Sequence, residues 1–452
     1  MSKNILLIAP HIHDFAAYDL WLKPLGLLYV ASAAEATGYS VRLINCLDRL
    51  HPAAQTLDRK HRSRSNGNGK GKFSFEEIPK PAPLAAIPRT FKRYGIPRDV
   101  FRRELEAGPR PHAIGVGSMM TYWYQGVAET IQIARKVFSD VPIILGGIYA
   151  TLCPDHAQSH SGADYIIQAA GERQFTELLQ KLVGPGEIRD HHKNGPAYHL
   201  LEHVDSVSMT TSYGCPFACA YCASKLLRPA FRQRPVREVV TEIEHYRRQR
   251  DIRDIAFYDD ALLVNRENHI KPILRELIDG KINVRLHTPN GLHANMIDEE
   301  LATLMKNAGF ATIRLSVESI DPALMNDSCM KVTAAGFRRG VHNLIEAGYE
   351  PASLEAYVLM GMPGQPPQAI EETMRFVHGE GLLIRLSDFS PIPGTPCFEA
   401  ARTTWNLDLG EPLLHNSSVL PYLVPGMLEQ YQDLKALARS LNANLRDPAL
   451  ES

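Results

Sequence analysis

Over the first 190 residues, short apolar runs alternate with stretches of helical spacing. Ile5-Leu6-Leu7-Ile8-Ala9 leaves no position for water, which is the pattern of a strand covered on both faces. A loop over residues 10–23 follows. An amphipathic helix then opens at Pro24-Leu25-Gly26, with proline at its start, and stops near Gly38. Residues 41–44, 113–118, 142–145 and 164–167 repeat the strand pattern, and residues 127–138 and 173–182 the helical one. Strands alternating with helices predict a doubly wound parallel sheet. Ligands of such sheets bind outside the carboxyl ends of the strands. Three of those ends carry small residues, Pro10, Gly117-Ser118 and Gly146-Gly147, which let a broad flat ligand approach the backbone.

Residues 50–111 interrupt this alternation. Residues 59–72 are basic and rich in Ser, Asn and Gly, with too few apolar side chains to fold alone, so a solvated surface segment is expected. Pro79-Lys80-Pro81-Ala82-Pro83 reads as stiff linker, and residues 90–106 have helical spacing with many positive charges. From residue 205 onward a second alternation begins. Strands are expected at the entry to a cysteine-rich loop and at residues 254–260, 284–291, 312–319, 355–364 and 386–396, with a helix over 236–248. Six such strand–helix units predict an open partial barrel with its chemistry at the strand carboxyl ends. Residues 427–441 are helical and predict a cap. The expected domains are therefore 1–190 (with the 50–111 insertion), 205–396 and 397–452.

Composition narrows the class. A hydrophobic share of 44% with 22% charged residues is that of a globular protein, and a net charge of −1 favours neither nucleic acid nor an anionic membrane surface. No apolar run approaches the roughly 20 residues that span a bilayer. Seven cysteines, an odd number and mostly scattered, argue against a secreted disulfide scaffold and for a reducing cytoplasm.

Three of those cysteines stand together in Ser212-Tyr213-Gly214-Cys215-Pro216-Phe217-Ala218-Cys219-Ala220-Tyr221-Cys222. Gly214 and Pro216 make this a loop, not a helix face. A closed zinc site needs a fourth ligand, and His203 lies too far upstream to supply it. Three thiolates from one loop suit a 4Fe–4S cluster whose fourth iron stays open. The C-x3-C-x2-C spacing, with an aromatic before the third cysteine, resembles the radical S-adenosylmethionine (SAM) superfamily. That resemblance implies cluster ligation by Cys215, Cys219 and Cys222. It also implies SAM contacts from Tyr221, Ser316, Glu318, Lys331, Gly361 and Pro363. Ser316 and Glu318 share one face if the strand alternates regularly. Asp259, Asp260, His287 and Asn290 are further polar residues near strand ends. Cys329 and Cys397 are expected to pack as apolar residues.

The N-terminal stretches Pro24-Leu25-Gly26, Gly115-Val116-Gly117-Ser118 and Gly146-Gly147-Ile148-Tyr149-Ala150-Thr151 resemble, in order and spacing, the cobalamin-binding domain found ahead of many radical SAM domains. The resemblance implies cobalamin contacts from Pro10, His11, Pro24, Gly26, Gly117, Ser118, Gly146, Gly147 and Thr151. Asp190-His191-His192-Lys193-Asn194-Gly195 fits D-x-H-x-x-G, the signature of a cobalt-ligating histidine. It falls beyond the fifth strand and not after the first, so it is read as chance. The cobalt is then expected without a protein histidine, with His11 or His13 making at most a polar or stacking contact. Together the resemblances imply a cobalamin-dependent radical SAM enzyme. A 5′-deoxyadenosyl radical would take hydrogen from an unactivated carbon of a small-molecule or natural-product substrate, and methylcobalamin would then deliver a methyl group. An electron donor such as flavodoxin or ferredoxin would serve the cluster. The alternative is cyclisation or rearrangement without methyl transfer. A cobalamin or redox sensor would have no need of an open-iron barrel.

Overall fold

A computed structural model describes residues 3–187, 195–322, 324 and 332–446 of the chain. Two compact units divide it: Met1–Asp205 joined by Gly410–His415, and Ser206–Leu409 joined by Asn416–Ser452.

In the first unit the strands Asn4–Ala9, Ser40–Asn45, Ala113–Ser118, Ile143–Gly147 and Tyr165–Ile166 form one five-stranded sheet, entirely parallel. Numbered by their order in the chain, the strands lie 5-4-3-1-2. The connections thus reverse direction between Asn4–Ala9 and Ala113–Ser118, which makes the carboxyl ends of that pair the ligand crevice of the fold. Strand side chains alternate between faces. Leu6, Ile8, Ile114, Val116, Ile143 and Leu145 accordingly enter one core with the helices Arg98–Ala107 and Tyr124–Val137. Ile5, Leu7, Ala113 and Ile144 enter the other, with Leu25–Ala36 and Gly171–Val183.

Residues 59–72 are mostly exposed, as their composition predicts, but the rest of the insertion is folded. Lys92–Tyr94 lies between Ile12–Asp14 and Phe75–Glu77 in an antiparallel sheet. Phe73, Leu84, Ile87, Phe91 and Tyr94 are all buried. The basic stretch forms a small hairpin, Arg64–Ser65 with Gly71–Lys72. It closes over Trp21, whose indole N–H donates to the Asn68 carbonyl at 2.6 Å while Lys70 lies over its ring. The packing partners are Ile12, Phe15 and Trp21, from the loop after the first strand. The insertion therefore folds on distant sequence, and its own composition could not reveal this.

In the second unit, Val207–Met209, Asp254–Phe257, Arg285–His287 and Phe310–Thr312 form one parallel sheet. Leu292–His293, Arg314–Glu318, Glu355–Met360 and Leu383–Asp388 form another. The third and fourth barrel strands are each broken in two and contribute to both sheets, giving the six-unit partial barrel. The last strand starts earlier than predicted and ends at Asp388, because Pro391, Pro393 and Pro396 beyond it cannot donate to a ladder. The helix Met427–Arg446 packs beside that strand. Asn442 donates to the Ile384 carbonyl at 2.9 Å and accepts its N–H at 2.8 Å, satisfying an otherwise open edge.

Candidate functional site

The cysteine loop is fixed from below by one carboxylate. Asp259, 4% exposed at the carboxyl end of its strand, accepts hydrogen bonds from the N–H and hydroxyl groups of both Thr211 and Ser212 at 2.6–3.0 Å. Burial pushes its pKa up, and the four donor groups pull it back. His269, buried and lowered to about 4 by desolvation, adds a contact to the Thr211 hydroxyl at 2.9 Å. The chain then turns through Gly214 in the left-handed region, φ +73°, where a Cβ would lie 2.6 Å from the Ala230 carbonyl oxygen. Cys215 follows buried, Cys219 half-buried and Cys222 exposed. The Cys222 N–H donates to the Cys219 carbonyl at 3.0 Å, and the Cys397 N–H to that of Ala220 at 3.0 Å. Phe217 packs on the His293 ring at 4.9 Å.

Among the described residues no three acidic, histidine or cysteine side chains converge closely enough to hold one ion. A single zinc would need all its sulfurs at about 2.3 Å. A four-iron cluster takes one thiolate on each of three irons and accepts a wider triangle. Three thiolates from one short loop fit such a cluster.

Beside this loop stands a strained acid. The register of Arg314–Glu318 against its neighbour shifts between Ser316 and Glu318. The Ser319 N–H turns back to the Val317 carbonyl at 2.6 Å, leaving Glu318 in the middle of a three-residue turn at φ +57°. A non-glycine residue holds that conformation only where its surroundings impose it. The expected pairing of Ser316 with Glu318 is present, by way of a bulge and not by regular alternation: the Ser316 hydroxyl donates to the Glu318 carboxylate. Walled in by protein yet reachable by solvent, Glu318 has its pKa raised by desolvation to about 7. Its charge acts on Tyr221, whose hydroxyl is also hydrogen-bonded to Cys219. Tyr221, Ser316 and Glu318 thus meet around the cysteine loop, and the residues present fit a bound SAM.

The other predicted contacts are placed differently. The Gly361 N–H is already bonded to the Gln365 side chain at 2.8 Å, and a Cβ there would lie 1.8 Å from the Tyr431 hydroxyl. Gly361 lines a cavity of about 450 Å³ with Met362, Gly364, Trp405, Met427 and Tyr431, and Pro363 is half-buried in the same turn. Lys331 and Cys329 lie outside the described residues, as does the decoy histidine motif at 190–194. His287, fully buried, faces Asp254 at 2.9 Å toward the starts of the strands, the end that serves stability, and so does not face a substrate. Asn290 bridges the Tyr258 and Asp259 carbonyls, and Asp260 is hydrogen-bonded to Ser224.

In the first unit the predicted cobalamin contacts divide into shelf and brackets. Gly26 is exposed, with open space where a Cβ would stand. Gly146 meets nothing closer than 3.8 Å, and Gly147 is exposed at φ +105°, where a Cβ would lie 2.1 Å from the Ser118 carbonyl oxygen. Pro24 is half-buried immediately before the helix Leu25–Ala36, and Pro10 is buried. Gly117 instead faces Leu27, at 2.8 Å from a would-be Cβ. The Ser118 hydroxyl donates to the Gly146 carbonyl at 2.8 Å. The Thr151 hydroxyl donates to that of Gly147 at 2.7 Å and accepts the Ala169 N–H at 2.9 Å. These side chains hold the strand ends open for a broad ligand, which the unit therefore fits.

His11 is a correction to the expected ligand contacts. It is 1% exposed, in contact with the Ile96 carbonyl at 2.9 Å and edge-on to Phe101. Desolvation lowers it to about 4 and keeps it neutral. His13 is likewise turned inward, to Glu129 at 3.2 Å.

The description "Radical SAM superfamily" matches residues 209–377, and "B12 binding domain" matches residues 94–179, beginning within the last part of the insertion. An uncharacterized methyltransferase, PH0819, of Pyrococcus horikoshii is 23% identical over 327 residues, covering 64% of this chain and 69% of its own. The anaerobic magnesium-protoporphyrin IX monomethyl ester cyclase of Rubrivivax gelatinosus is 23% identical over 306 residues, 60% of this chain and 54% of its own. Among solved structures, the radical SAM methyltransferase TsrM of Kitasatospora setae, with cobalamin and a [4Fe-4S] cluster bound, superposes with a TM-score of 0.66. The identity is 16%, over 98% of this chain and 89% of that one. Among the described residues no helix is long and apolar enough to cross a membrane. With a cysteine loop that fits the cluster and a glycine shelf that fits cobalamin, the chain carries a radical SAM domain and, ahead of it, a B12-binding domain.

Proposed function

We propose that the protein is a cobalamin-dependent radical SAM methyltransferase acting on an unactivated carbon of a small organic molecule. The observation that carries this reading is the meeting of Tyr221, Ser316 and Glu318 beside the three cysteines. When bound, the cluster supplies the electron that splits SAM homolytically, and cobalamin supplies methyl transfer. The protein's part is positioning. Cys215, Cys219 and Cys222 hold the cluster and leave one iron open. The Glu318 carboxylate, deprotonated on binding, receives a positive group of SAM, and Ser316 fixes the carboxylate's orientation. Tyr221 covers the adenosine side. Gly26, Gly146 and Gly147 give the corrin its resting surface. Exposed Cys222 marks the edge of the loop that a flavodoxin- or ferredoxin-like donor reaches.

A second reading, radical cyclisation without a new methyl group, is supported by the similarity to the anaerobic cyclase. Methyl-labelled SAM given to the anaerobically reconstituted enzyme with candidate small molecules separates the two. Label in a small-molecule product supports methyl transfer. An altered, unlabelled substrate formed together with 5′-deoxyadenosine replaces it by cyclisation. Label found only in nucleic acid rejects the small-molecule substrate.

A further inference from the structure

Just behind the cysteine loop, no residue of 224–233 is buried. The stretch carries the cations Lys225, Arg228 and Arg232 and no carboxylate. It begins as the short helix Ser224–Leu227, which buries none of its side chains. It ends as the strand Arg232–Gln233, antiparallel to Ser212–Tyr213 at the entry to the cysteine loop. The guanidinium groups of Arg228 and Arg232 both stand over the Tyr213 ring, 5.1 and 5.3 Å from its centre. Two like charges are thus gathered on one aromatic face. Arg228 also acts on Asp260, whose carboxylate accepts from the Ser224 hydroxyl. Lys225 and Arg232, both exposed, have no carboxylate partner among the described residues. Leu226, beside Lys225 in the chain, is 43% exposed.

This surface touches the ligand loop itself. The Cys222 sulfur lies 3.2 Å from the Ser224 hydroxyl oxygen. The Ala230 and Arg228 carbonyl oxygens close on Gly214, the residue before Cys215, at 2.6 and 2.9 Å from where a Cβ would stand. A basic, partly apolar and unburied stretch wrapped on a cluster loop matches the rim of an acidic protein by charge. We propose that residues 224–232 are the docking face of an acidic one-electron carrier protein. Lys225 and Arg232 meet its carboxylates, and Leu226 is covered by the contact. A nucleic acid would use the cations and leave the leucine in water. One electron passes from carrier to cluster: the carrier is oxidised, the cluster reduced, and no bond is made or broken.

This rests on the cluster reading, and the test separates the two. Flavodoxin is the acidic probe. Its oxidised form is titrated calorimetrically into the full chain, a readout that needs no electron transfer. Its reduced form is then mixed with the reconstituted chain while the cluster absorbance is followed, with dithionite as a small reductant that needs no docking face. Lys225→Glu and Arg232→Glu are each expected to weaken flavodoxin binding about tenfold and to slow its electron transfer in step. Reduction by dithionite should stay within about twofold of wild type. Added salt should weaken wild-type binding and have little effect on the double variant. If Arg232→Glu does not fold, Lys225→Glu decides, since Lys225 is exposed. Wild type that does not bind flavodoxin, or folded variants that bind it as wild type does, overturn the docking face. Variants that keep flavodoxin but lose a single-stranded oligonucleotide overturn it in favour of nucleic acid. Dithionite reduction that falls in parallel makes the residues structural and also overturns it. Wild type with no cluster that dithionite can reduce refutes the cluster reading itself.

Discussion

The cysteine loop and the glycine shelf suit their proposed cofactors by opposite means. At the loop, three ligand side chains are spaced within eight residues and clamped by a buried scaffold of Asp259, Thr211, Ser212 and His269. At the shelf, backbone exposed at Gly26 and Gly147 and half-buried at Gly146 is the proposed resting surface, and the nearby polar side chains are spent on bracing it. Covalent ligation demands particular atoms at particular spacing, whereas a large flat ligand demands the absence of atoms. The loop should therefore fail through single polar groups, and the shelf through added bulk.

The largest structural effect is expected at Asp259. Asp259→Ala strands the buried donors of Thr211 and Ser212, at about 1–3 kcal/mol for each unsatisfied group. A loss of about 3–5 kcal/mol in denaturant unfolding and a sharp fall in reconstituted iron should result. Wild-type stability and iron would show that the scaffold is incidental. Gly361→Ala should cost about 2–4 kcal/mol, since it combines an unfavourable φ of +84° with a clash on the Tyr431 hydroxyl. Tyr431→Phe, which removes the clashing oxygen, should recover part of that loss in the double variant. Strict additivity of the two changes would place the cost elsewhere.

How much was legible in the sequence follows the same division. The cysteine spacing survives any fold that keeps the loop, and the strands of both units stand out as apolar runs. Glu318 was visible, but its bulge and strained turn were not, because they arise from register against Glu355–Met360. His11 looked like a ligand contact since it follows the first strand. It is instead core, because an insertion more than eighty residues away supplies Ile96 and Phe101 to surround it.

Two smaller effects sharpen the contrast through pH. Glu318 is raised to about 7 in the ligand-free protein, so it is largely protonated below that pH. A cationic ligand needs the carboxylate. SAM affinity should then fall about tenfold per pH unit as pH drops below about 7, and level off above it. Glu318→Gln should bind weakly with no such slope in calorimetric titration, and an unchanged slope would assign the proton to another group. Glu129, held down at about 2 by His13 and Arg93 despite its burial, stabilises the first unit. Its folded pKa is depressed, so that stability is present above the ordinary value of 4.5 and is lost as pH falls toward about 2. Glu129→Gln should cost about 1–2 kcal/mol at neutral pH and flatten the acid limb of thermal unfolding. A variant with the wild-type acid limb would remove the role.

The most direct test of the central claim counts the products of SAM. Anaerobically reconstituted protein, loaded with cobalamin and given SAM, a low-potential reductant and a competent substrate, should release 5′-deoxyadenosine and S-adenosylhomocysteine in about equal amounts, one from each role of SAM. Replacing Cys215, Cys219 and Cys222 together by alanine should abolish the iron–sulfur chromophore and all 5′-deoxyadenosine. A triple variant that keeps its iron and still forms 5′-deoxyadenosine would contradict the cluster assignment, and wild type that forms 5′-deoxyadenosine without S-adenosylhomocysteine would contradict methyl transfer.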